Sequence, residues 1–80
     1  MNTSWEHITC EVTFTPDGKP QPHAITWRQE RLLVIATGRR RDTPDGQHLL
    51  SRVQDGRVFE LRYHAPYWTA RLLTSPPEMV

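Results

Sequence analysis

Little in this chain pulls its reading toward a single chemistry. Cysteine occurs once, at Cys10, so no intrachain disulfide can hold the fold. Lysine also occurs once, at Lys19; the other nine of the ten basic residues are arginine, and nine acidic residues bring the formal charge to +1. A charge that small excludes global steering toward nucleic acid or an anionic membrane, so electrostatic recognition has to be local. Long apolar runs are missing: the longest, Leu32 to Ala36, falls far short of the ~20 residues a membrane helix requires. The first residues, Met1 to Ser4, carry neither a basic n-region nor an apolar h-region, and together with the single cysteine this leads us to expect a cytoplasmic protein. No window of helical length shows an apolar stripe of period 3.6, which argues against amphipathic helices. With 80 residues there is room for one core only, because a domain of this size buries only about 60% of the surface its unfolded chain exposes.

What the chain does have is alternation and turn chemistry. Ile8, Cys10, Val12 and Phe14 alternate with polar residues, the period-two pattern of a strand with one buried face. Pro16, Asp17, Gly18, Pro20 and Pro22 follow, a cluster expected to interrupt regular structure. A second strand is expected from His23 to Arg28 and a third from Arg31 to Thr37, with Gln29-Glu30 as the turn, Trp27 opposite Leu32 and Ile25 opposite Val34. Gly38 to Gln47 reads as a connector holding Arg39, Arg40 and Arg41 and then Thr43-Pro44-Asp45-Gly46, a second copy of Thr15-Pro16-Asp17-Gly18. Both copies suit a type I turn followed by a left-handed glycine. Neither has the alternating oxygen ligands of a calcium loop.

His48 to Gln54 and Arg57 to Tyr63 flank Asp55-Gly56, a pair suited to a type I′ hairpin. That turn puts Gln54 opposite Arg57, Leu50 opposite Leu61, Arg52 opposite Phe59 and His48 opposite Tyr63. After His64-Ala65-Pro66-Tyr67, a last strand alternates Trp68, Ala70 and Leu72. Five or six short strands with no helix bury a common face by closing, so the expected fold is all-β, a small SH3-like barrel of antiparallel strands. Its expected interior is Ile8, Val12, Phe14, Ile25, Trp27, Val34, Leu50, Phe59, Leu61, Trp68, Ala70 and Leu72. The domain is expected over residues 7–73, between an N-terminal extension of residues 1–6 and a loose tail of residues 74–80.

Three stretches carry a likeness: Pro22 to Arg28 with Arg31 to Val34, then Arg52 to Tyr63, then Trp68 to Leu72. In that order, over roughly residues 8–73, they resemble a family of small uncharacterised bacterial β-barrel domains. These occur free-standing and at the C-terminus of some Y-family translesion-polymerase-like proteins. The resemblance implies the barrel fold and a DNA-repair protein as a partner class. Its motifs are structural and imply no activity. This chain departs from the family in the connector, where Arg39-Arg40-Arg41 and a Pro-Asp-Gly turn stand in place of the tryptophans that members often carry.

Catalytic and metal signatures are weak. His7 and Cys10 fall on opposite faces of a strand and match no zinc spacing, so Cys10 reads as a core residue. His48 and His64 could approach each other, but no third ligand is identifiable. Ser51 is expected to face Glu60 across the ladder with no histidine on that face, which leaves it without a base. Glu11, Glu30 and Glu60 imply no paired-carboxylate cleft, and the three Asp-Gly pairs are turn glycines rather than a phosphate loop. The chain therefore reads as a non-catalytic binding module with no cofactor. Arg28, Arg31, Arg39, Arg40 and Arg41 against Glu30 form its one concentrated charge, a candidate surface for single-stranded nucleic acid, with Trp5, Tyr67 and Trp68 as stacking surface. The competing class is protein interaction or a homodimer through an exposed edge, for which Ile8 to Phe14 is the candidate.

Overall fold

The computed structural model describes residues 4–74. Six strands, β1 (Glu6–Phe14), β2 (Pro20–Trp27), β3 (Glu30–Thr43), β4 (Gly46–Val53), β5 (Val58–His64) and β6 (Tyr67–Thr74), make up most of them. Every pairing is antiparallel and joins consecutive strands, and β6 returns to β1, so the sheet closes into a barrel. Among the described residues there is no helix. The expected tail beyond Thr74 and the first three residues of the expected extension lie outside the described residues.

Alternation builds the interior. Ile25 and Trp27 of β2, Leu32 of β3, Leu49 and Val53 of β4, Phe59 and Leu61 of β5, and Trp68 and Ala70 of β6 form one buried cluster. Ile8, Cys10, Val12, Val34, Tyr63 and Leu72 pack against it. Trp27 meets Phe59 edge-on, with ring centroids 5.1 Å apart, the geometry favoured by the two ring quadrupoles.

Several expectations need correction. β2 starts at Pro20, so a strand takes in the last two prolines of the cluster, while Pro16 to Gly18 form a turn. The strand tolerates Pro20 and Pro22 because β3 pairs with it only from Ala24 onward, and that half of β2 has no neighbour there requiring its N–H groups. The β2–β3 turn is Arg28-Gln29 and not Gln29-Glu30, with both residues at positive φ (50° and 68°). Two residues with positive φ make the type I′ geometry that matches strand twist. Trp27 then lies opposite Glu30, and Ile25 opposite Leu32. The shift is two residues, so every side chain keeps its expected face.

The third strand does not stop at Thr37. β3 runs 14 residues, through Gly38 and the three arginines, and the expected connector is its second half. Register shifts between Val34 and Ala36 and between Thr37 and Arg40 each give β3 one residue more than β4. Such bulges bend a strand and increase its twist. β3 therefore pairs with β2 over Glu30 to Leu33 and with β4 from Val34 to its end.

The β4–β5 hairpin is displaced by a single residue, which has larger consequences. Val53 N–H donates to Arg57 O (3.0 Å) and Gly56 N–H to Val53 O (2.9 Å), enclosing a three-residue loop, Gln54-Asp55-Gly56. Only Gly56 has positive φ (95°), so Asp55-Gly56 is the end of a type I turn plus a left-handed glycine rather than a type I′ pair. Leu49 pairs with Leu61, Ser51 with Phe59 and Leu50 with Glu60. A slip of one residue reverses the faces of β4: Leu49, Ser51 and Val53 point inward, and Leu50 is 42% exposed. Phe14, also expected inside, is 48% exposed because it lies at the far end of β1.

The two Thr-Pro-Asp-Gly copies are turns, as expected. Gly18 and Gly46 both have positive φ (84° and 129°). At Gly46 a side chain would also run into the Tyr63 carbonyl, so glycine is required there twice over.

The register makes a direct prediction. Leu49→Ala and Leu61→Ala should each cost about 2–5 kcal/mol, the usual range for an interior leucine, whereas Leu50→Ala should cost less than about 1. Urea midpoints of the three variants check this, and a larger loss at Leu50 than at Leu49 would restore the two-residue turn.

Candidate nucleic-acid interface

The charged outer face of the barrel is organised around Glu60. Its neighbours on β5, Phe59 and Leu61, point inward, so Glu60 points out, yet its side chain is only 9% exposed. Oε1 accepts hydrogen bonds from Arg71 of β6, at 2.9 Å from Nε, with an ion pair of 2.7 Å to the terminal nitrogen. Oε2 lies 2.9 Å from His48 Nδ1 and 3.8 Å from the Arg41 guanidinium. These contacts follow from register: Glu60 is directly opposite Arg71, and His48 is opposite Arg41. Burial pushes the Glu60 carboxyl up, but the hydrogen bonds and charges of His48 and Arg71 outweigh it and hold the group below its ordinary value of 4.5.

Trp5, ahead of β1, lies across the same face. Its ring is edge-on to His48 (centroids 5.8 Å apart), with the Arg62 and Arg71 guanidiniums 4.4 and 4.8 Å from its centroid. Arg62 Nε also donates to Thr69 Oγ1 at 3.1 Å. Trp5 thus packs against two cations.

Beside this cluster, a cleft of about 510 Å³ is lined by Arg39, Arg40, Arg41 and Arg71 together with Leu50 and Glu60. Four guanidiniums against one carboxylate leave it formally at 4 − 1 = +3. The three arginines of the run have different surroundings. Arg40 is partly buried and donates to the Pro20 carbonyl, closing the unpaired half of β2. Arg39 and Arg41 are exposed.

Of the five arginines singled out by sequence, the structure therefore brings Arg39, Arg40 and Arg41 together, in a strand rather than in a loop. It does not add Arg28 or Arg31 to them. Arg28 donates from Nε and a terminal nitrogen to the two carboxylate oxygens of Glu6 (3.1 and 2.7 Å), with its guanidinium 4.4 Å from the Trp27 ring centroid. Arg31 grips Glu11 in the same forked way (2.5 and 2.8 Å). Both carboxylates are held below their ordinary value, chiefly by those hydrogen bonds. Such exposed pairs add little stability but cancel the charge locally.

Comparison with family models, with curated proteins and with solved structures returns no match to this chain. What the cleft can do must come from its own chemistry.

Arg71, His48 and Glu60 were not singled out together by sequence. Strict alternation on β5 and β6 puts Glu60 and Arg71 outside, and that signal was available. Placing His48 on the same face needed the β4 register, which the misread turn concealed. Ser51, expected to face Glu60, instead faces Phe59 inside the barrel, and its Oγ has no hydrogen-bond partner there. A hydroxyl–imidazole–carboxylate line does exist elsewhere: Thr43 Oγ1 is 3.0 Å from His48 Nε2. The Asp45 N–H donates to the same oxygen at 3.1 Å, and Thr43 does not line the cleft. That hydroxyl organises the Pro44-Asp45 turn and orients His48. His64 lines a different depression, with Asp45 and Arg62.

His7 is exposed and Cys10 half-buried, on opposite faces as expected, and among the described residues no three metal-ligating side chains come together. Burial, with the Glu11 charge adding to it, pushes the Cys10 thiol up to about 12.

Two outcomes follow. Glu60 has a lower pKa folded than unfolded, so its contribution is present above the unfolded value and is lost as pH falls through the folded one. Wild type should lose stability below pH 4.5 more steeply than Glu60→Gln, read from urea midpoints across that range. Cys10 should react with iodoacetamide at pH 8 on the order of a hundredfold more slowly in the folded chain than in urea, because the thiolate is the nucleophile; equal rates would show that the thiol is not held by burial.

Proposed function

We propose that this SH3-like small barrel is a non-catalytic binding module that holds the backbone phosphates of single-stranded nucleic acid in the Arg39, Arg41 and Arg71 cleft. The observation that carries the reading is that Arg39, Arg41 and Arg71 line one cleft whose only carboxylate, Glu60, is already bonded to His48 and Arg71. Guanidinium forks match phosphate oxygens in pairs, and an arginine is less strongly hydrated than a lysine, so the predominance of arginine here suits phosphate. The exposed Leu50 beside the rim offers apolar contact to a sugar or base. A confined cleft suits one flexible strand better than the broad basic face that a duplex requires. The resemblance to domains attached to translesion-polymerase-like proteins supports the same partner class.

A near-neutral chain with few phosphate contacts should bind weakly and with clear salt dependence. Titration of a labelled single-stranded oligonucleotide at several salt concentrations is the test. Arg39→Ala with Arg41→Ala should weaken binding at low salt and flatten the log–log slope by about 1.4, at about 0.7 per lost contact. Arg28→Ala with Arg31→Ala should leave both nearly unchanged. No binding of wild type at low salt would overturn the reading, and an equal effect of the two double variants would remove the cleft from it.

A further inference from the structure

β1 closes the barrel against β6 through Glu6↔Ala70, His7↔Thr69 and Ile8↔Trp68 alone. Beyond Ile8 it continues to Phe14 with β2 on one side and, among the described residues, no strand on the other. A strand edge of this kind presents backbone donors and acceptors ready to pair with another strand.

The barrel has a second open edge, and the contrast between them is informative. Where β3 leaves β2, the unpaired half of β2 carries Pro20 and Pro22, which have no N–H to offer, and Arg40 caps the Pro20 carbonyl. The open half of β1, Thr9-Cys10-Glu11-Val12-Thr13-Phe14, has no proline, glycine or lysine. The irregularity in the β1–β2 pairing puts its extra residue, His23, on β2 and leaves β1 regular. The β2 edge is blunted; the open half of β1 is a regular, β-branched template.

Beside the open half of β1 is a groove of about 490 Å³, lined by Cys10, Val12 and Phe14 together with Tyr63, Tyr67 and Trp68. Phe14 is 48% and Tyr67 65% exposed, large apolar surfaces next to unpaired backbone. Tyr63 joins them, its ring centroid 5.7 Å from that of Phe14 and 4.7 Å from that of Trp68.

We propose that this edge is the interface of a symmetric dimer, in which β1 of a second copy adds antiparallel to β1 about a two-fold axis at Val12. The segment is self-complementary in that register. Val12 faces Val12 of the partner subunit, and Cys10 faces Phe14 of the partner subunit, all on the groove side. Glu11 faces Thr13 of the partner subunit, so the edge's only charge meets a hydroxyl. Moving the axis by one residue to Glu11 would set two carboxylates directly opposite, which is unfavourable. The groove beside Cys10, walled by Tyr67 and Trp68, receives the partner's aromatic ring. With +1 per chain, long-range repulsion between copies is small. Two-fold symmetry is the commonest arrangement of soluble homo-oligomers, and this pairing uses the physics of strand addition.

Light scattering of the full chain across a wide concentration range tests the dimer. The mass should rise from 9.4 kDa toward roughly double that value with concentration, and salt should have little effect. Phe14→Glu should shift the protein to monomer with its far-UV spectrum retained, since Phe14 lies outside the core, whereas Leu50→Glu, an exposed leucine elsewhere, should leave the dimer intact. If Phe14→Glu fails to fold, amide exchange in wild type decides: protection within Cys10–Phe14 should increase with protein concentration. A monomer at every concentration, a dimer that survives Phe14→Glu in the folded state, or exchange in that stretch independent of concentration would each overturn the proposal.

Discussion

The constraint on which the rest of the structure depends is that β3 must change partners part-way along its length. Six short strands close a barrel only if the sheet bends strongly, and β3 supplies the bend with two bulges facing β4. Its first residues pair with β2, and the remainder turn away to pair with β4. This one departure explains why half of β2 has no partner on its β3 side, why prolines are tolerated there, and why Arg40 reaches the Pro20 carbonyl. It also carries Arg39 and Arg41 to the cleft beside β4, where Arg41 meets His48 and Glu60. The connection between fold and candidate site is therefore mechanical: the bend that closes the barrel aims the arginine run at the cleft.

The electrostatics then sort the arginines into two kinds. Arg28, Arg31 and Arg57 each have exposed carboxylate partners, Glu6, Glu11, and Asp55 with Glu30. Arg57 also lies within 5.3 Å of the Trp27 ring centroid, so it ties the tip of the β4–β5 hairpin to the end of β2. Around the cleft, by contrast, two guanidiniums, Arg41 and Arg71, share Glu60, and that carboxylate is buried. A buried carboxylate retains its charge only when donors surround it, and meeting that requirement gathers Arg71, Arg41 and His48 in one place. The positive cleft is thus partly a consequence of what Glu60 needs in order to remain ionised.

Most of the architecture was legible in the chain. Alternation at Ile8-Cys10-Val12, Ile25-Trp27, Phe59-Leu61 and Trp68-Ala70 identified strands and faces, and the two Thr-Pro-Asp-Gly tetrapeptides identified turns. The failures came where several local solutions have similar energies. Asp55-Gly56 suits a two-residue turn, but Gln54-Asp55-Gly56 suits a three-residue one, and the choice between them decides whether Leu49 or Leu50 is inside. Val53 and Leu49 against Phe59 and Leu61 bury more apolar surface than Leu50 and Arg52 would, so packing selects the longer loop. The arginine run was read as a connector because Gly38 and three consecutive charges look like the end of a strand; bulges allow a strand to continue through such a stretch.

The amino-acid sequence by itself determined that the protein is all-β, that it closes on one core, and that its positive charge is concentrated near Arg39 to Arg41, because alternation, turn chemistry and charge are local properties of the chain. Only the tertiary structure decided the β4 register, the withdrawal of Arg28 and Arg31 into pairs with Glu6 and Glu11, and the recruitment of Arg71 and His48 to Glu60. It also left the edge of β1 open from Thr9 to Phe14. Each of these depends on which residues lie opposite one another across the sheet. That relation is set by the packing of all six strands at once, and no short segment contains it.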